Sequence, residues 1–513
     1  MSAESPVLES GLNQVETLIR VGRAAEAREK LRHLDSRGWT REDLPRAAGL
    51  FRRCGSPEIS VRLLHSLVRV RIRDGHPAET DSTESERAEY AVALAYLGAE
   101  VEAMGLLHEL DRGKLLEAKL YLAFIQMSRW EYRSAIPLLE KFLAAPGDEY
   151  RQLVARVNLA SALVWEHKDA RAAELLRRAS DQCRQHGARR LEANCREFSA
   201  QLAIQQRRFG AAREQLEQAV RLLKLEGGRE ALYVRKWGAI LDLHRRSRSS
   251  PEARQGARAL AELRGEALRL GNWETARECD IWVALAGVDP ELVVKLYYGS
   301  PYPALRQRLL EENQLNVSEI RSAYDWELGS VPATIQETES PWNTSGAKGV
   351  LGTFRALATD FYRPLRVSTL HAQIFPDEPY HPRQTPHRIA ECMRKTRDWL
   401  QATGSRLSID WESGGYRFVS SGPCALHILR PDLGADWQGN RAQDPLRELR
   451  REFEEREFSI AEAARVLGLS IFEAQQVLAA DYPRAGLVRI GEGRFNRYRF
   501  LRAAHATGRR RPA

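Results

Sequence analysis

The sequence predicts a mainly α protein, in which a long helical repeat domain precedes two small α+β units. The first observation is an almost continuous helical pattern of Ala, Leu, Arg and Glu over residues 12–330, broken by short Gly, Asp or Pro signals. The second is that two segments of the last third each read as two helices followed by a hairpin with glycine at its tip. The chain therefore divides into a stack of helices and two helix–hairpin units.

The charge of the chain is concentrated in its C-terminal third. Of 513 residues, 43% are hydrophobic and 29% charged, an ordinary composition for a folded protein of roughly three to four domains. The net charge is +9, and residues 341–513 hold 27 Lys/Arg against 19 Asp/Glu, whereas the first 340 residues hold 51 against 50. A positive excess beside the helix–hairpin units is what phosphate binding requires, although arginine-rich proteins also carry such charge without that role.

The sequence lacks the motifs that are typical of several classes of protein. The cysteines are scattered without a CxxC pair, which fits a reducing cytoplasm and argues against disulfides or a zinc site; they are Cys54, Cys183, Cys195, Cys279, Cys392 and Cys424. The first residues, MSAESPVLES, lack the features of a signal peptide, and no run approaches the roughly 18 apolar residues of a membrane span. No phosphate-binding loop, dinucleotide fingerprint or hydrolase motif is found, so we expect no enzyme activity, cofactor or metal.

Weak internal repetition predicts how the helices pack. Segments starting at Trp130, His167 and Gln206 each place a small residue early in a second helix and a leucine about a turn later, with spacings of 38 and 39 residues. The small residues are Ala135, Ala173 and Ala212, and the leucines are Leu138, Leu176 and Leu216. A helix pair of this kind cannot bury its apolar face alone, so neighbouring pairs must stack. The pattern resembles the tetratricopeptide-repeat (TPR) family over roughly residues 12–285, which implies a TPR-like α-solenoid; a globular helical bundle is the alternative.

Composition sets the predicted domain boundaries. The repeat domain covers 1–330, and a linker rich in Pro, Thr and Ser follows at 331–347. The first helix–hairpin unit covers 348–430, a second linker 431–444, the second unit 445–502 and a basic tail 503–513.

The first helix–hairpin unit contains a long amphipathic helix, TPHRIAECMRKTRDWL, before the hairpin LSIDWESGGYRFV. We expect its apolar face to pack on the unit; that face consists of Ile389, Cys392, Met393, Thr396 and Leu400. Residues near the start of a groove-binding helix lie closest to the bases, so we predict base contacts for His387, Arg388 and Arg394. Phosphate contacts are predicted for Arg397 and Arg417. The alternative is a solvated face, because Glu391 and Asp398 lie among these cations.

The hairpin of this unit carries a family resemblance. The run Gly414-Gly415-Tyr416-Arg417-Phe418 and the Arg/Lys-rich third helix resemble the winged-helix effector domain of OmpR/PhoB-type response regulators over about 70 residues. The resemblance implies binding to duplex DNA. The helical repeats stand where that family has its phospho-acceptor domain.

The second unit begins with Asp444-Pro445 and has helix-start signals eleven residues apart. Two capping boxes are predicted, Ser459 with Glu462 and Ser470 with Glu473, with Gly468 at the turn between the helices. In the second helix Ala474, Val477 and Leu478 are predicted to face inward. Gln475 and Gln476 are predicted to face outward, where glutamine can bond adenine bidentately.

The hairpin of the second unit, LVRI-GEG-RFNRYRF, is predicted to present arginines to a duplex. Alternation places Tyr498 and Phe500 on the core side and Arg497 and Arg499 on the other, with Arg494 beside the tip. Three such arginines would clamp phosphates or the minor groove. By architecture this unit resembles winged-helix domains of the broad MarR/ArsR kind, which implies DNA binding, although winged helices also dock proteins.

Together these patterns predict a bacterial-type DNA-binding transcriptional regulator in the cytoplasm, associated with the nucleoid. Its partners would be double-stranded DNA, a protein or peptide in the groove of the repeats, and in some states a second copy of the chain. One alternative is an adaptor or scaffold in which all domains bind proteins. Another is a factor that binds RNA or nucleic-acid junctions.

Overall fold

The computed structural model describes most of the helical part of the chain and selected stretches of the C-terminal third. The described residues are 6–20, 23–34, 39–69, 72–73, 76–77, 82–112, 115–223, 230–244, 251–321, 323–328, 348–375, 378–429, 449–450, 452–454, 456–467, 471, 474–475, 478, 487–490 and 497–500. The linker 331–347, the linker 431–444 and the tail 503–513 lie outside them, as do Gly468, Ser470, Glu473, Gln476 and Arg494.

The N-terminal part of the chain, hereafter the repeat domain, is built from helices joined mostly by short turns. They are α1 (Pro6–Arg20), α2 (Ala24–His33), α3 (Asp43–Arg53), α4 (Pro57–Val68), α5 (Glu84–Leu97), α6 (Glu100–Arg112), α7 (Leu116–Ser128), α8 (Tyr132–Leu143), α9 (Glu149–Trp165), α10 (Asp169–Gln185), α11 (Arg189–Gln205), α12 (Phe209–Leu223), α13 (Glu230–His244), α14 (Pro251–Arg269), α15 (Trp273–Leu285), α16 (Pro290–Gly299) and α17 (Pro303–Glu312). Consecutive helices pack together, and α9 with α11, α11 with α13 and α13 with α15 pack across the pairs. Stacked helix pairs of this kind form the TPR-like arrangement expected for this region.

One backbone geometry recurs at the turn inside successive helix pairs. A residue with positive φ stands between α5 and α6, α7 and α8, α9 and α10, and α11 and α12; these residues are Gly98 (98°), Trp130 (65°), His167 (52°) and Arg207 (57°). The spacings between them are 32, 37 and 40 residues. The structural repeat is therefore real but varies in length, because the helices themselves differ in length.

A buried alanine follows each of these turn residues by five positions, and a buried leucine follows by nine. The alanines are Ala103, Ala135, Ala172 and Ala212, and the leucines are Leu107, Leu139, Leu176 and Leu216. A small side chain there lets the second helix approach its neighbour closely, and the leucine fills the adjoining seam. The predictions of Ala173 and Leu138 are thus each wrong by one residue: Ala173 is exposed and Leu138 only half-buried.

Aromatic side chains pack together in the middle and C-terminal part of the repeat domain. The indole rings of Trp130 and Trp165 lie 4.9 Å apart, and those of Trp237 and Trp282 lie 5.1 Å apart, in edge-to-face geometry. Arg308 of α17 donates to the Trp165 carbonyl at 2.5 Å and lies 3.9 Å above that ring. Helices α9 and α17 are 143 residues apart in sequence at this contact, so the stack curves until its C-terminal end meets its middle.

The C-terminal third adds helices α18 (Lys348–Leu357), α19 (Val367–Ile374), α20 (Gln384–Ala402) and α21 (Ile460–Leu467). The strands are β1 (Ile72–Arg73), β2 (His76–Pro77), β3 (Ala323–Leu328), β4 (Leu407–Glu412), β5 (Gly415–Ser420), β6 (Cys424–Leu429), β7 (Leu487–Ile490) and β8 (Arg497–Phe500). They pair antiparallel as β1–β2, β3–β6, β4–β5 and β7–β8. We name residues 348–429 the first hairpin unit and the described residues between 449 and 500 the second hairpin unit.

Strand β3 departs from the helical pattern expected up to residue 330. It follows α17 and pairs with β6 of the first hairpin unit, from Ala323 opposite Leu429 to Leu328 opposite Cys424. The ring of Trp326 on β3 stacks 4.3 Å from Phe361 of the same unit. The end of the helical region therefore forms a sheet with the unit that follows it.

Candidate nucleic-acid interface

The first hairpin unit has three helices and a strand pair around one small core. Its core includes Leu370 from α19, Ile389 and Met393 from α20, and Phe418 from β5. Leu365, between α18 and α19, forms a two-bond bridge with Tyr416 of β5, with both N–O distances 2.8 Å. The order along the chain is therefore helix, bridge residue, helix, helix and hairpin.

Helix α20 buries the face that the sequence predicted. The buried residues are Thr385, Ile389, Cys392, Met393, Thr396 and Leu400. The opposite face, with His387, Arg394 and Arg397, is exposed. The amphipathic pattern thus correctly predicted which side of α20 is buried and which is exposed.

The exposed arginine in the middle of α20 is paired with carboxylates on its own helix. Arg394 donates to Glu391 at 2.7 Å and to Asp398 at 2.8 Å, while its side chain stays 60% exposed. The hydrogen bond from Arg394 lowers the pKa of the Glu391 carboxyl to about 2. This face consequently carries alternating charges rather than a continuous positive stripe.

The other predicted arginines of the first unit have different partners. Arg388 is half-buried, pairs with Glu378 and lies 3.6 Å from the centre of the Phe375 ring. Arg397 donates from Nε to the Ile409 carbonyl at 2.8 Å, which ties α20 to β4. Arg417 on β5 pairs with Glu412 across the hairpin at 2.9 Å. Arg388 and Arg397 thus have structural contacts besides any role toward a partner.

The hairpin between β4 and β5 turns tightly and lies close to the preceding chain. Ser413 and Gly414 have φ of 49° and 83°, the left-handed conformations that a two-residue hairpin turn requires. A Cβ on Gly415 would come within 2.8 Å of the backbone at Pro364, so the bridge with Leu365 needs glycine there. Trp411, beside the tip, is 54% exposed and contacts Tyr416 edge-on at 4.7 Å.

The second hairpin unit confirms one of its two predicted capping boxes. Ser459 N donates to Glu462 at 2.7 Å, and Glu462 N donates to the Ser459 hydroxyl at 3.2 Å. These bonds with Ser459 lower the pKa of the Glu462 carboxyl. Phe458 bridges Tyr498 through backbone bonds of 2.9 and 2.8 Å, which fastens the start of α21 to the hairpin β7–β8.

The described arginines of this hairpin face outward, as alternation predicted. Arg497 and Arg499 are exposed while Phe500 is buried, and Arg497 lies 3.8 Å from Glu462. Gln475 is different: only 4% of it is exposed, so the prediction that it faces outward is wrong. It is buried next to Ala474 and near Leu478, which the helical projection had placed on the opposite, inward side.

Sequence reasoning missed a group of residues that attach the first hairpin unit to the repeat domain. Arg277 of α15 forms an ion pair with Asp360. The hydroxyls of Ser368 and Thr369 of α19 donate hydrogen bonds to the carbonyls of Leu97 and Gly98, respectively. These partners are 83 to 271 residues apart in sequence. No local pattern signals such pairs, because each residue is unremarkable in its own helix or turn.

Comparisons with known proteins add little to this geometry. No protein-family model matches the chain, and no curated protein matches it in sequence. Among solved structures it is similar to the crystal structure of a Rap protein complexed with competence and sporulation factor, at 12% identity, covering 62% of this chain and 100% of that chain, with a TM-score of 0.37. At that score the likeness gives no support to a shared function. Among the helices that the structure describes, none has the length and apolarity of a membrane span.

Proposed function

We propose that the chain is a DNA-binding transcriptional regulator, in which both hairpin units are winged helices and the repeat domain binds a protein, a peptide or a second copy. The observation that carries this proposal is the arrangement of the first unit. The unit has a helix, a single-residue β-bridge at Leu365, a second helix, the exposed helix α20 and the β4–β5 hairpin, in winged-helix order. That order supports α20 as the groove helix and the hairpin as the wing.

The exposed cations support duplex DNA as the partner. His387, Arg394 and Arg397 lie on the open side of α20, and Arg497 and Arg499 lie on the open side of the second hairpin. Arginine can pair with guanine O6 and N7 or with phosphate. Two such units on one chain would bind adjacent sites with increased avidity. The proposal includes no catalytic activity, and it places the protein at the nucleoid.

A scaffold function is the second candidate, and one observation favours it. The carboxylates Glu391 and Asp398 neutralise Arg394 on the exposed face of α20. A face of alternating charge also suits a protein partner with complementary charges. The two candidates differ in what α20 binds.

Selection from a random duplex pool tests the proposal. The full chain is incubated with labelled duplexes at several salt concentrations, and bound duplexes are sequenced. A DNA regulator gives an enriched sequence and a linear fall of log affinity with log salt, with a slope that counts the phosphates contacted. Binding that enriches no sequence, or an equal preference for single-stranded RNA, would contradict the proposal and favour the alternatives.

A further inference from the structure

The segment of residues 359–369, hereafter the docking segment, joins the first hairpin unit to two separate parts of the repeat domain. Its first half contacts helices α15 and α16 near the C-terminal end of the stack. Its second half contacts the end of α5, ten helices earlier. It therefore bridges the two halves of the repeat domain as well as carrying the hairpin unit.

The contacts with α15 and α16 are buried and charged. The Arg277 guanidinium donates to both Asp360 carboxylate oxygens at 2.9 and 2.8 Å, and both side chains are 0% exposed. Tyr362 donates its hydroxyl proton to Asp280 at 2.6 Å. Phe361 N donates to the Gly299 carbonyl at 3.1 Å, and its ring lies where a Cβ on Gly299 would stand.

The contacts with α5 satisfy the end of that helix. The last carbonyls of a helix have no partner within it. Arg366 donates to the Tyr96 carbonyl, Ser368 to the Leu97 carbonyl, and Thr369 to the Gly98 carbonyl at 3.3 Å. Gly98 has φ of 98° and the Thr369 hydroxyl occupies the place of its missing Cβ, so the fit depends on glycine.

One further contact and one close approach involve the parts that a winged helix brings closest to a duplex. Before the start of α20, Tyr380 N donates to Glu102 of α6 at 2.9 Å, and the His381 ring lies 4.8 Å from His65 of α4. At the hairpin tip, the Ser413 hydroxyl lies 3.9 Å from where a Cβ on Gly271 would stand, in the turn before α15. The start of α20 thus contacts the repeat domain, and the hairpin tip lies near the turn before α15, while the side of α20 that carries Arg394 stays exposed.

We infer that the docking segment is an autoinhibitory latch, which holds the first hairpin unit against the repeat domain and weakens its binding to DNA until the repeat domain changes shape. The inference rests on the proposed function and adds its regulation. The buried ion pair and the hydrogen bonds at the end of α5 lie on one short segment, so we expect them to break together. The docking segment then has two states, bound to the repeat domain or released from it. A partner that alters the curvature of the helix stack changes the distance between α5 and α15. It therefore favours release by its differential affinity for the open state.

A charge-removing variant opens the latch without removing its turn. Asp360→Asn keeps the side-chain oxygen that accepts from Tyr362 N and Arg363 N, but loses the charge opposite Arg277. The control is Asp148→Asn, whose side chain likewise accepts a backbone N–H, from Arg151 at 2.8 Å, at the start of α9 and outside the docking segment. Hydrogen exchange over residues 359–369 and binding of the selected duplex are measured on both full-length variants. We expect faster exchange and an affinity about tenfold higher in Asp360→Asn, within the usual range of coupling between sites, and neither change in Asp148→Asn.

A reversible cross-link closes the latch. The Thr369 Cβ lies 3.5 Å from the Cβ position of residue 98, within the range of a disulfide. In the double variant Gly98→Cys/Thr369→Cys, oxidised glutathione takes up the electrons and protons of the two thiols as the S–S bond forms, and dithiothreitol reverses the reaction. The oxidised and the reduced protein both carry the strain of a side chain at residue 98. The difference in their duplex affinity therefore reports the effect of closing the latch. We expect the oxidised form to bind the duplex about tenfold more weakly than the reduced form, with wild type unchanged by either reagent.

The outcomes separate the latch from the proposed function. Equal duplex affinity in the oxidised and reduced forms, with cross-linking verified by mass, overturns the latch. So does faster exchange in Asp360→Asn without tighter DNA binding. If neither the wild type nor any variant binds a duplex, the proposed function is wrong, and the inhibition of DNA binding is wrong with it. Faster hydrogen exchange in Asp360→Asn would then show only that the docking segment contacts the repeat domain.

Discussion

At the scale of single residues, the exposed face of α20 is defined by how its charges are paired. Arg394 already has two carboxylate partners, so a phosphate or base must compete with Glu391 and Asp398 for the same guanidinium. Surface ion pairs contribute little to stability, and exchanging one for a charged ligand costs little. The two ion pairs therefore orient the Arg394 side chain and still leave its guanidinium able to bind a ligand.

Replacing Arg394 tests this residue against a closely matched one. Arg177 on α10 is 63% exposed and also pairs with a glutamate three residues before it and an aspartate four residues after it, Glu174 and Asp181. We expect Arg394→Ala to weaken binding of the selected duplex by about 1–3 kcal/mol, and Arg177→Ala to leave it unchanged. Fluorescence anisotropy at fixed salt measures both. Equal effects of the two variants would show that α20 contributes only general charge.

At the scale of elements, the repeat is defined by a turn residue and by two buried positions after it. Of the four turn residues described above, one is a glycine, Gly98; the other three, Trp130, His167 and Arg207, adopt the left-handed conformation with a side chain. Neighbouring contacts must therefore compensate the strain that a side chain suffers there. This variety of residues hides the turn in the sequence, and two of the six predicted positions, Ala173 and Leu138, are wrong by one residue. The other four are buried as predicted: Ala135, Ala212, Leu176 and Leu216.

Two adjacent alanines of α10 test the register of the repeat. Ala172 is fully buried and Ala173 is exposed, although both are interior positions of one helix. We expect Ala172→Leu to lower the free energy of unfolding by about 1–3 kcal/mol, because the added atoms have no space. Ala173→Leu should change it by less than about 0.5 kcal/mol. Urea denaturation followed by circular dichroism measures the difference, and similar values for both variants would refute the register described above.

Helix α19 makes the first hairpin unit sensitive to acid. Burial lowers the pKa of the His371 imidazole to about 4, with Glu378 raising it and Arg388 lowering it by smaller amounts. The unfolded chain takes up that proton near pH 6.5, before the folded one does. The free energy of unfolding is therefore constant above about pH 6.5 and falls as the pH drops towards 4, by about 2 kcal/mol at pH 5 from this group. Burial likewise lowers the pKa of His65 to about 4.

Removing the imidazole of His371 should reduce this sensitivity. In His371→Leu we expect a smaller loss of unfolding free energy between pH 7 and pH 5 than in the wild type, whatever its effect at pH 7. Hydrogen exchange of α19 at the two pH values measures it, and the exposed His186→Gln serves as control. A loss as large as that of the wild type would mean that His371 is not the responsible group.

At the scale of the whole molecule, the repeat domain and the first hairpin unit are connected by a shared β-strand pair and a buried ion pair as well as by the chain itself. Strand β3, which follows the repeats, pairs with β6 at the end of the unit. The Arg277–Asp360 pair lies between them with both side chains fully buried. Burial alone lowers the pKa of the Arg277 guanidinium, but Asp360 and Glu274 raise it well above its ordinary value. Arg277 is therefore charged, and Asp360 and Glu274 are the two carboxylates that pair with it.

A double-mutant cycle measures this coupling. Arg277→Met leaves the Asp360 carboxylate buried without its main counterion, and we expect it to cost about 3–5 kcal/mol of unfolding free energy. The double variant Arg277→Met/Asp360→Asn should cost clearly less than the sum of the two single variants, since it buries no unpaired charge. Chemical denaturation of all four proteins gives the coupling energy. Additive effects would show that the pair contributes nothing to the junction.

Much of the local structure was predictable because it depends on residues close in sequence. The buried face of α20, the Ser459–Glu462 capping box and the outward arginines of β8 follow from helical and strand periodicity. Gln475 was mispredicted because its side-chain position depends on packing against other elements. Strand β3 was missed because it forms only by pairing with residues about a hundred positions away.

By itself, the sequence determined the two kinds of structure in this protein, a stack of helix pairs and helix–hairpin units, because periodicity and capping act within a few turns of one helix. Only the tertiary structure decided where the first hairpin unit lies. The contacts of Asp360 and Ser368 with the repeat domain join residues that become neighbours only after the stack has curved. Such contacts depend on the curvature of the helix stack. That curvature results from side-chain packing between many helix pairs, so no single segment of the sequence determines it.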